Sequence, residues 1–265
     1  MTPINCLSFP RKSIAAFFLA GLLLCSPSAF AEYSPQTKNR TRENEVSGGG
    51  TRRACLASEE TEKEIDLLPL ASRSYQSKTA SSHPQFSVFV SSSVPARIEF
   101  KLYEYPETSH SQLRQIGATK TIERTTAFEE IVTIAPISEN EPGLVANKTY
   151  LWQVTLFWQC APDRPDQFLW ERREFTTIEP PATLSSDLSA ATDRYDRVNA
   201  YARAELWYEA LAETKPSQRL DILGGTLLEQ LVRWEESSPS PEDGEGTREW
   251  SEGIRNLARR ARRIR

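Results

Sequence analysis

Residues 144–160, LVANKTYLWQVTLFWQC, contain the clearest strand pattern in the chain. Five apolar side chains occur at every second position, and alternation along a strand puts all of them on one face. They are Tyr150, Trp152, Val154, Leu156 and Trp158. Leu151 and Phe157 add apolar bulk to the opposite face. A strand with so much apolar surface is expected in the middle of a sheet, where its neighbours cover it.

Shorter strand patterns surround this stretch, with turn signals between them. Apolar runs or alternating patterns occur at residues 65–70, 86–90, 98–102, 128–134 and 168–178. No helical period separates these segments, which disfavours a parallel α/β sheet. Short strands at this spacing are typical of antiparallel sandwiches. The sequence therefore predicts a mainly β protein, with an immunoglobulin-like antiparallel β-sandwich over residues 55–180.

Tyr150 has a sequence context that is typical of such sandwiches. Leu144 stands six residues before it, and the turn-like pair Ala146-Asn147 lies between them. In immunoglobulin and fibronectin type III domains, a tyrosine so placed bonds through its hydroxyl to the upstream backbone. The alternative is an ordinary buried tyrosine on a central strand.

From Pro180 onward the apolar period changes from that of a strand to that of a helix. The first stripe comprises Ala200, Tyr201, Ala204, Trp207, Tyr208 and Leu211. The second comprises Leu220, Leu223, Leu227, Leu231 and Trp234. Gly224-Gly225 interrupts the second stripe and predicts close packing or a kink. The sandwich is therefore expected to be followed by a C-terminal helical hairpin over residues 185–236.

The N-terminal residues 1–31 have the features of a secretory signal peptide. A basic start is followed by an apolar run at residues 14–25 and by the cleavage pattern Ala29-Phe30-Ala31. The run is short for a membrane span, which favours cleavage near Ala31 over a retained anchor. We therefore expect export to the periplasm or the cell surface. Residues 32–54 are almost free of apolar side chains and are predicted to be a disordered linker.

Export leaves two cysteines, Cys55 and Cys160, because Cys6 and Cys25 are removed with the signal peptide. Two cysteines in an oxidising compartment usually form one disulfide. The alternative is two free thiols, one of them buried at a strand end. A redox-active pair is disfavoured because the chain has no C-x-x-C motif.

The C-terminal residues 237–265 are predicted to be a linker followed by a basic amphipathic helix. Residues 247–265 contain seven Arg and two Glu, whereas the whole chain has a net charge of −4. Basic amphipathic helices often bind anionic membrane surfaces or acidic partners, and the alternative is a solvated tail. The acidic balance of the whole chain makes nucleic-acid binding unexpected.

Four segments together resemble one protein family. They are GGGTRRACLA at residues 48–57, FSVFV at 86–90, NKTYLWQVTLFWQC at 147–160 and LWYEALAE at 206–213. The chain resembles the cyanobacterial domain-of-unknown-function 928 family. The resemblance implies an exported β-region with a Lys-Thr-Tyr-x-Trp strand that ends near a second cysteine, followed by a closing helix. The family has no assigned activity, so the resemblance implies no catalytic residue.

Histidine is scarce, and neither His83 nor His110 has a Cys or His at metal-ligand spacing. No catalytic residue, metal site or cofactor is predicted. Acidic pairs such as Asp163 and Asp166 fit turn chemistry better than calcium binding or acid–base catalysis. The charged run ERRE at residues 171–174 is predicted to be a solvated strand face.

The aromatic side chains of the predicted strands are the most informative candidates for a binding surface. Trp152, Trp158 and Trp170 lie on adjacent predicted strands, and core packing is the default interpretation. The alternative is an exposed aromatic strip on one sandwich face, which would stack on sugars or anchor a partner.

The sequence favours an exported, non-enzymatic cell-envelope protein that binds protein or polysaccharide. One alternative is a hydrolase of envelope polymers that uses paired carboxylates. Another is peripheral membrane attachment through residues 247–265. The predicted binding residues are Trp207 and Tyr208 on the hairpin and Trp250, Arg259, Arg260 and Arg263 in the tail.

Overall fold

Two β-sheets and a set of helices appear in a computed structural model of the chain. The structure describes residues 33–35, 39, 47–49, 65–106, 113–159, 166–214, 221–237 and 245–263. These residues form nine strands and five helices and belong to one compact unit, Ala31–Arg265. Helices and strands contribute comparable shares, so the class is mixed rather than mainly β.

The strands form a larger and a smaller sheet. In chain order they are β1 (Ser47–Gly49), β2 (Ile65–Pro69), β3 (Ser77–Thr79), β4 (Phe86–Ser92), β5 (Ala96–Glu104), β6 (Arg114–Arg124), β7 (Phe128–Ile134), β8 (Thr149–Trp158) and β9 (Gln167–Thr177). The larger sheet has the order β1-β9-β8-β5-β6, with β3 also paired to β9, and the smaller sheet has the order β2-β4-β7. All these pairs are antiparallel except β3 with β9.

Strand β8 lies in the middle of the larger sheet, between β5 and β9. Its five alternating apolar side chains are at most 2% exposed, and Leu151 on the opposite face is also buried. The ring of Phe86, from β4 in the smaller sheet, lies 5.4 Å from the ring of Trp152 and 5.2 Å from that of Phe175. The prediction of a covered, central strand is confirmed.

The Tyr150 hydroxyl makes the contact to upstream backbone that the sequence context indicates. It accepts a hydrogen bond from the Val145 N–H at 3.0 Å and donates one to the Val145 carbonyl at 3.4 Å. Asn147, between these two residues, has a φ of 62°, a left-handed conformation that asparagine adopts more readily than most residues. These contacts hold the turn that leads into β8.

The C-terminal part contains more helices than the predicted hairpin. Within the described residues they are α1 (Leu184–Ala190), α2 (Arg194–Arg203), α3 (Trp207–Glu213), α4 (Ile222–Glu236) and α5 (Glu245–Arg263). The stripe at residues 200–211 is divided between α2 and α3, so the prediction of a two-helix hairpin is wrong. Glu205 lies at the break with a φ of 61°, and its side chain pairs with Lys78, whose backbone bridges to Leu206. Because α2 and α3 both bury residues of the stripe, the apolar period continues across the break.

Helix α5 packs closely on α4 at Gly225. A Cβ added to Gly225 would lie 3.0 Å from the Ala258 carbonyl oxygen and 3.1 Å from the Ala261 Cβ. Glycine therefore permits this approach, which confirms the close packing predicted from the glycine pair. Nearer the start of α5, a Cβ at Gly253 would lie 3.2 Å from the Leu68 side chain of β2.

Residues 237–265 were predicted to be a linker and a separate tail, but the part that forms α5 packs against the rest of the chain. Trp250, Ile254 and Leu257 are at most 8% exposed, because α4 and β2 cover the apolar face of the helix. The amphipathic pattern is real, but its apolar side is used within the chain.

The prediction of disorder over residues 32–54 is wrong for the residues of this range that the structure describes. Tyr33 is 1% exposed, its N–H donates to the Gln230 side chain at 2.9 Å, and its ring lies 4.9 Å from that of Trp207. Residues 47–49 form β1 against β9. Partners far away in the sequence hold these residues, and local composition does not reveal such partners.

We expect a Gly225→Val substitution to force α5 away from α4. The added Cβ and methyl groups overlap Ala258 and Ala261, and overpacking of this kind costs about 1–3 kcal/mol. Urea unfolding followed by tryptophan fluorescence measures the loss. The matched control is Thr226→Val at the next position, for which we expect a change within about 0.5 kcal/mol. Equal stability of the two variants would contradict the packing.

Candidate functional site

The aromatic residues predicted to bind a partner are core residues. Trp207, Tyr208 and Trp250 are at most 3% exposed. The indole N–H of Trp207 donates to the Leu70 carbonyl at 2.8 Å, and that of Trp250 donates to the Pro69 carbonyl at 3.1 Å. The prediction of a binding surface from these three aromatics is therefore wrong. A helical aromatic stripe has the same spacing whether it faces a core or a partner.

The predicted basic residues of α5 are on the surface, where acidic side chains already contact several arginines of this helix. Arg260 forms an ion pair with Glu129 at 2.5 Å, and Arg259 donates to the Asn256 side chain at 2.5 Å. Arg255 and Arg262 of the same helix pair with glutamates of α4. The side chain of Arg263 lies outside the described residues.

Several other predicted features also lie outside the described residues. Cys55 and Cys160, the predicted disulfide, are among them, as are His110 and Asp163. His83 is described, and its ring contacts the Ser82 hydroxyl at 2.9 Å and the Glu141 carbonyl at 3.1 Å. In the described part of the chain, no group of three His, Cys, Asp or Glu side chains lies close enough to hold a metal ion.

The charged run at residues 171–174 is the main feature that sequence reasoning misplaced. Arg173 is fully buried and its Nη1 donates to a carboxylate oxygen of Glu171 at 2.9 Å, while Arg73 lies 3.7 Å from the same oxygen. Glu174, on the opposite face of β9, is 1% exposed and accepts from Gln76 at 2.8 Å. The prediction of a solvated strand face is wrong because both faces of this part of β9 are covered.

Two glutamates, one on α3 and one on α4, form hydrogen bonds with the segment between β2 and β4. Glu235 of α4 accepts hydrogen bonds from the Ser72 hydroxyl at 2.6 Å and from the Ser74 N–H at 2.5 Å. Glu209 of α3 accepts from the Thr79 hydroxyl and the Ala80 N–H, both at 2.7 Å. Burial raises the pKa of each carboxyl, and the hydrogen bonds oppose the rise. These carboxylates have a structural role, since both oxygens of Glu235 and Oε1 of Glu209 accept hydrogen bonds from the segment that they hold.

The outward face of the larger sheet carries aromatic and arginine side chains next to one another. Phe157 of β8 is directly paired with Phe168 of β9 and with Arg97 of β5. The Phe157 ring lies 6.2 Å from the Phe168 ring, and the Arg97 guanidinium lies 4.6 Å from the Phe157 ring centroid. At the next outward positions of β9, Arg172 lies 4.7 Å from the ring of Trp170. We call Arg97, Phe157, Phe168, Trp170 and Arg172 the outer strip.

The three tryptophans singled out in the sequence are thus divided between the two faces. Trp152 and Trp158 are at most 2% exposed and belong to the core, as the default interpretation predicted. Trp170 is half-buried on the outward face, as the alternative predicted. The pairing of Trp170 with Thr155 decides its face, and the sequence alone does not contain this register.

Polar groups of both charges accompany the outer strip. Glu99 lies between Arg97 at 3.3 Å and Lys101 at 3.9 Å, and Gln153 accepts a hydrogen bond from Arg172 at 2.8 Å. The surface therefore offers aromatic rings together with hydrogen-bond donors and acceptors. Such a face can stack on a ring and bond to hydroxyl groups at the same time.

A family model, Domain of Unknown Function (DUF928), matches residues 47–221 and so covers more than half of the chain. The chain belongs to the DUF928 family. The matched residues include both sheets and helices α1 to α3, and they end where α4 begins. The resemblance noted in the sequence is therefore confirmed at the level of the family. The outer strip lies within the DUF928 match, whereas α5 lies beyond it.

Other comparisons add little to the DUF928 match. A similar solved structure is the CsuC–CsuE chaperone–tip adhesion subunit pre-assembly complex from archaic chaperone–usher Csu pili of Acinetobacter baumannii, with 7% identity and a TM-score of 0.29. The match covers 51% of this chain and 64% of that one, which is less than two thirds of its length. No curated protein matches this DUF928 chain. Over the described ranges, no helix combines the length and the apolar content that a membrane crossing needs.

We expect the stability of this DUF928 protein to fall as the pH rises through the raised pKa values of Glu209 and Glu235. Both carboxyls hold their protons more tightly in the folded chain than in the unfolded chain. Their contribution to stability is therefore full below about pH 4.5, the ordinary glutamate pKa, and is lost above the folded-state pKa.

Glu209→Gln and Glu235→Gln each remove one of these titrating groups, so the free energy of unfolding should fall less steeply with pH in either variant. Urea unfolding at a series of pH values measures the slope, which is the readout because the variants also alter hydrogen bonds. The control for loss of one negative charge is Glu139→Gln at an exposed position. Curves for the two variants that run parallel to the wild-type curve would contradict the prediction.

Proposed function

We propose that this protein is an exported, non-enzymatic module of the cell envelope that binds a polysaccharide along the outer strip. The observation that carries the proposal is the row of aromatic and arginine side chains on one face of the larger sheet. The signal-peptide features of residues 1–31 support export to the periplasm or the cell surface.

The exposure of the outer strip supports binding. Phe168 is 43% exposed, although burial of a large apolar side chain is favourable. Phe157 and Trp170 are half-buried beside it, and each has an arginine stacked on its ring. Stacking holds the two guanidinium groups in place against the rings. A bound chain would thus meet a prearranged surface.

The chemistry of the strip favours a polysaccharide over a protein partner. Sugar rings have apolar faces and hydroxyls around their edges, which suits rings flanked by both donors and acceptors. Stable protein interfaces bury roughly 800 Å² on each partner around an apolar centre. Among the described side chains on this face, Phe168, at 43%, is the most exposed large apolar group. One row of rings matches a narrow polymer better than a broad protein surface.

Glutamates that lie close together in the sequence, at residues 129–130 and 139–141, support a non-enzymatic role. Glu129 is paired with Arg260, and Glu130 with Arg124 at 2.6 Å. Glu141 accepts a hydrogen bond from the Ser138 N–H at 2.6 Å, which lowers the pKa of its carboxyl. These carboxylates act in ion pairs and in a turn.

We further infer that the sandwich is immunoglobulin-like. With β2 as strand A and β9 as strand G, the smaller sheet has the order A-B-E and the larger sheet contains G-F-C-C′. The Tyr150 contact at the start of β8, which is then strand F, supports this assignment. An experimental structure in which β6 pairs with β7 instead of β5 would contradict it.

Removal of the exposed rings should abolish most of the binding. We expect Phe168→Ala combined with Trp170→Ala to bind the isolated cell-envelope fraction about 10- to 100-fold more weakly, as is usual when central contact residues are truncated. Co-sedimentation with the envelope fraction measures the affinity. The matched control is Ile222→Ala, which removes a similarly exposed apolar side chain at the start of α4, and it should bind like the wild type.

Chemical or enzymatic treatment of the envelope fraction distinguishes a polysaccharide partner from a protein partner. Periodate, which cleaves sugar rings, should remove binding, and protease treatment should leave it. Binding that survives periodate but not protease would contradict the polysaccharide assignment. Release of soluble sugar by the protein during the incubation would contradict the non-enzymatic role. Unchanged binding by the double variant would contradict the role of the outer strip.

A further inference from the structure

An open cleft lies at the end of the larger sheet, beside the outer strip. It has a volume of about 450 Å³ and is formed where β5 begins and where β6 and β8 end. This volume falls within the range of small-ligand pockets, roughly 300–1,000 Å³. Arg97 and Phe157 line the cleft and also belong to the outer strip, so a chain bound along the strip can continue into it.

Trp158 lines this cleft and carries a buried donor. Its side chain is 2% exposed, and its indole N–H has no hydrogen-bond partner among the described residues. A buried N–H without an acceptor is unfavourable, and native structures rarely keep one without a reason. Trp152, Trp207 and Trp250 all place their indole N–H on a protein oxygen. The N–H of Trp158 is therefore suited to an acceptor atom on a ligand.

The charges around the cleft select against an anionic ligand. Arg97 is engaged with Glu99 at 3.3 Å, and Arg124 with Glu130 at 2.6 Å. The two carboxylates of the lining belong to Glu123 and Asp166, which are exposed. Neither makes an ion pair within the described part of the chain. Carboxylates accept hydrogen bonds from hydroxyl groups and repel other carboxylates.

We propose that this cleft holds one uncharged sugar ring of the polysaccharide, a proposal that rests on the function proposed for the outer strip. The Trp158 N–H donates to an oxygen of the ring, and the carboxylates of Glu123 and Asp166 accept from its hydroxyls. The stacked pair of Phe157 and Arg97 contacts the face of the ring and connects this subsite to the strip.

The test uses calorimetric titration of the mature protein with defined hexasaccharides. Cellohexaose, maltohexaose and N-acetylchitohexaose are the uncharged probes, and hexagalacturonate is the charged one. We expect at least one uncharged probe to bind and hexagalacturonate to bind at least tenfold more weakly. Failure of all three uncharged probes, or equal binding of the charged one, overturns the proposal.

Two variants examine the subsite separately. Trp158→Phe removes the N–H and keeps an aromatic ring, and the pair Glu123→Gln with Asp166→Asn changes only exposed side chains and should fold normally. Each should weaken binding of the uncharged probe roughly tenfold, Trp158→Phe through one lost hydrogen bond and the paired variant because two neutral amides replace two charged acceptors. In the paired variant, the difference in affinity between the uncharged probe and hexagalacturonate should also be smaller than in the wild type. The matched control, Glu139→Gln, should bind like the wild type.

The results also distinguish this subsite from the strip. If the cleft variants bind the probes and the envelope fraction normally while Phe168→Ala with Trp170→Ala does not, the subsite is wrong and the strip stands. If the cleft variants lose the probes while the strip variant keeps envelope binding, the function proposed for the strip is wrong. If neither set changes binding, both proposals are wrong.

Discussion

The side chain of Trp152 joins the parts of this protein. Its ring lies 5.6 Å from that of Phe100 in the same sheet and 5.4 Å from that of Phe86 in the other sheet. Its indole N–H donates to the Tyr208 hydroxyl of α3 at 3.1 Å. A large apolar ring and one directed hydrogen bond thus fix both sheets and a helix relative to one another. The position of β8 in the middle of the larger sheet makes this possible.

The helices are attached to the sheets by polar contacts that are mostly buried. Trp207 and Trp250 donate to carbonyls at the end of β2, and Glu209 and Glu235 accept from the segment that follows it. Directed contacts of this kind specify one arrangement more narrowly than apolar burial alone, because a displaced helix would leave buried polar groups unpaired. On the outward face of β5, β8 and β9, Phe168 stays exposed.

The local sequence pattern was sufficient to predict some of the fold and part of the candidate site. The alternation from Tyr150 to Trp158, the Tyr150 contact and the glycine of the α4–α5 approach follow from spacing and from backbone chemistry, and the structure agrees. The buried Arg173 and the break at Glu205 did not follow, because each depends on a distant segment: Arg73 shares the Glu171 carboxylate with Arg173, and Lys78 pairs with Glu205. The same limit applies to Trp207, Tyr208 and Trp250, since an apolar stripe predicts burial without naming what covers it.

The sequence by itself determined the family, the sheet-rich part with helices after it, and the covered central strand. Periodicity encodes these features locally, since a period of two or of 3.6 residues assigns side chains to faces. Only the tertiary structure decided which face looks outward, and it did so through strand register. Trp170 lies opposite Thr155 and therefore points away from the core, and Phe168 and Arg97 flank Phe157 on that same side. A shift of one residue in this pairing would move every one of these side chains to the other face, and local sequence does not specify the pairing of distant strands.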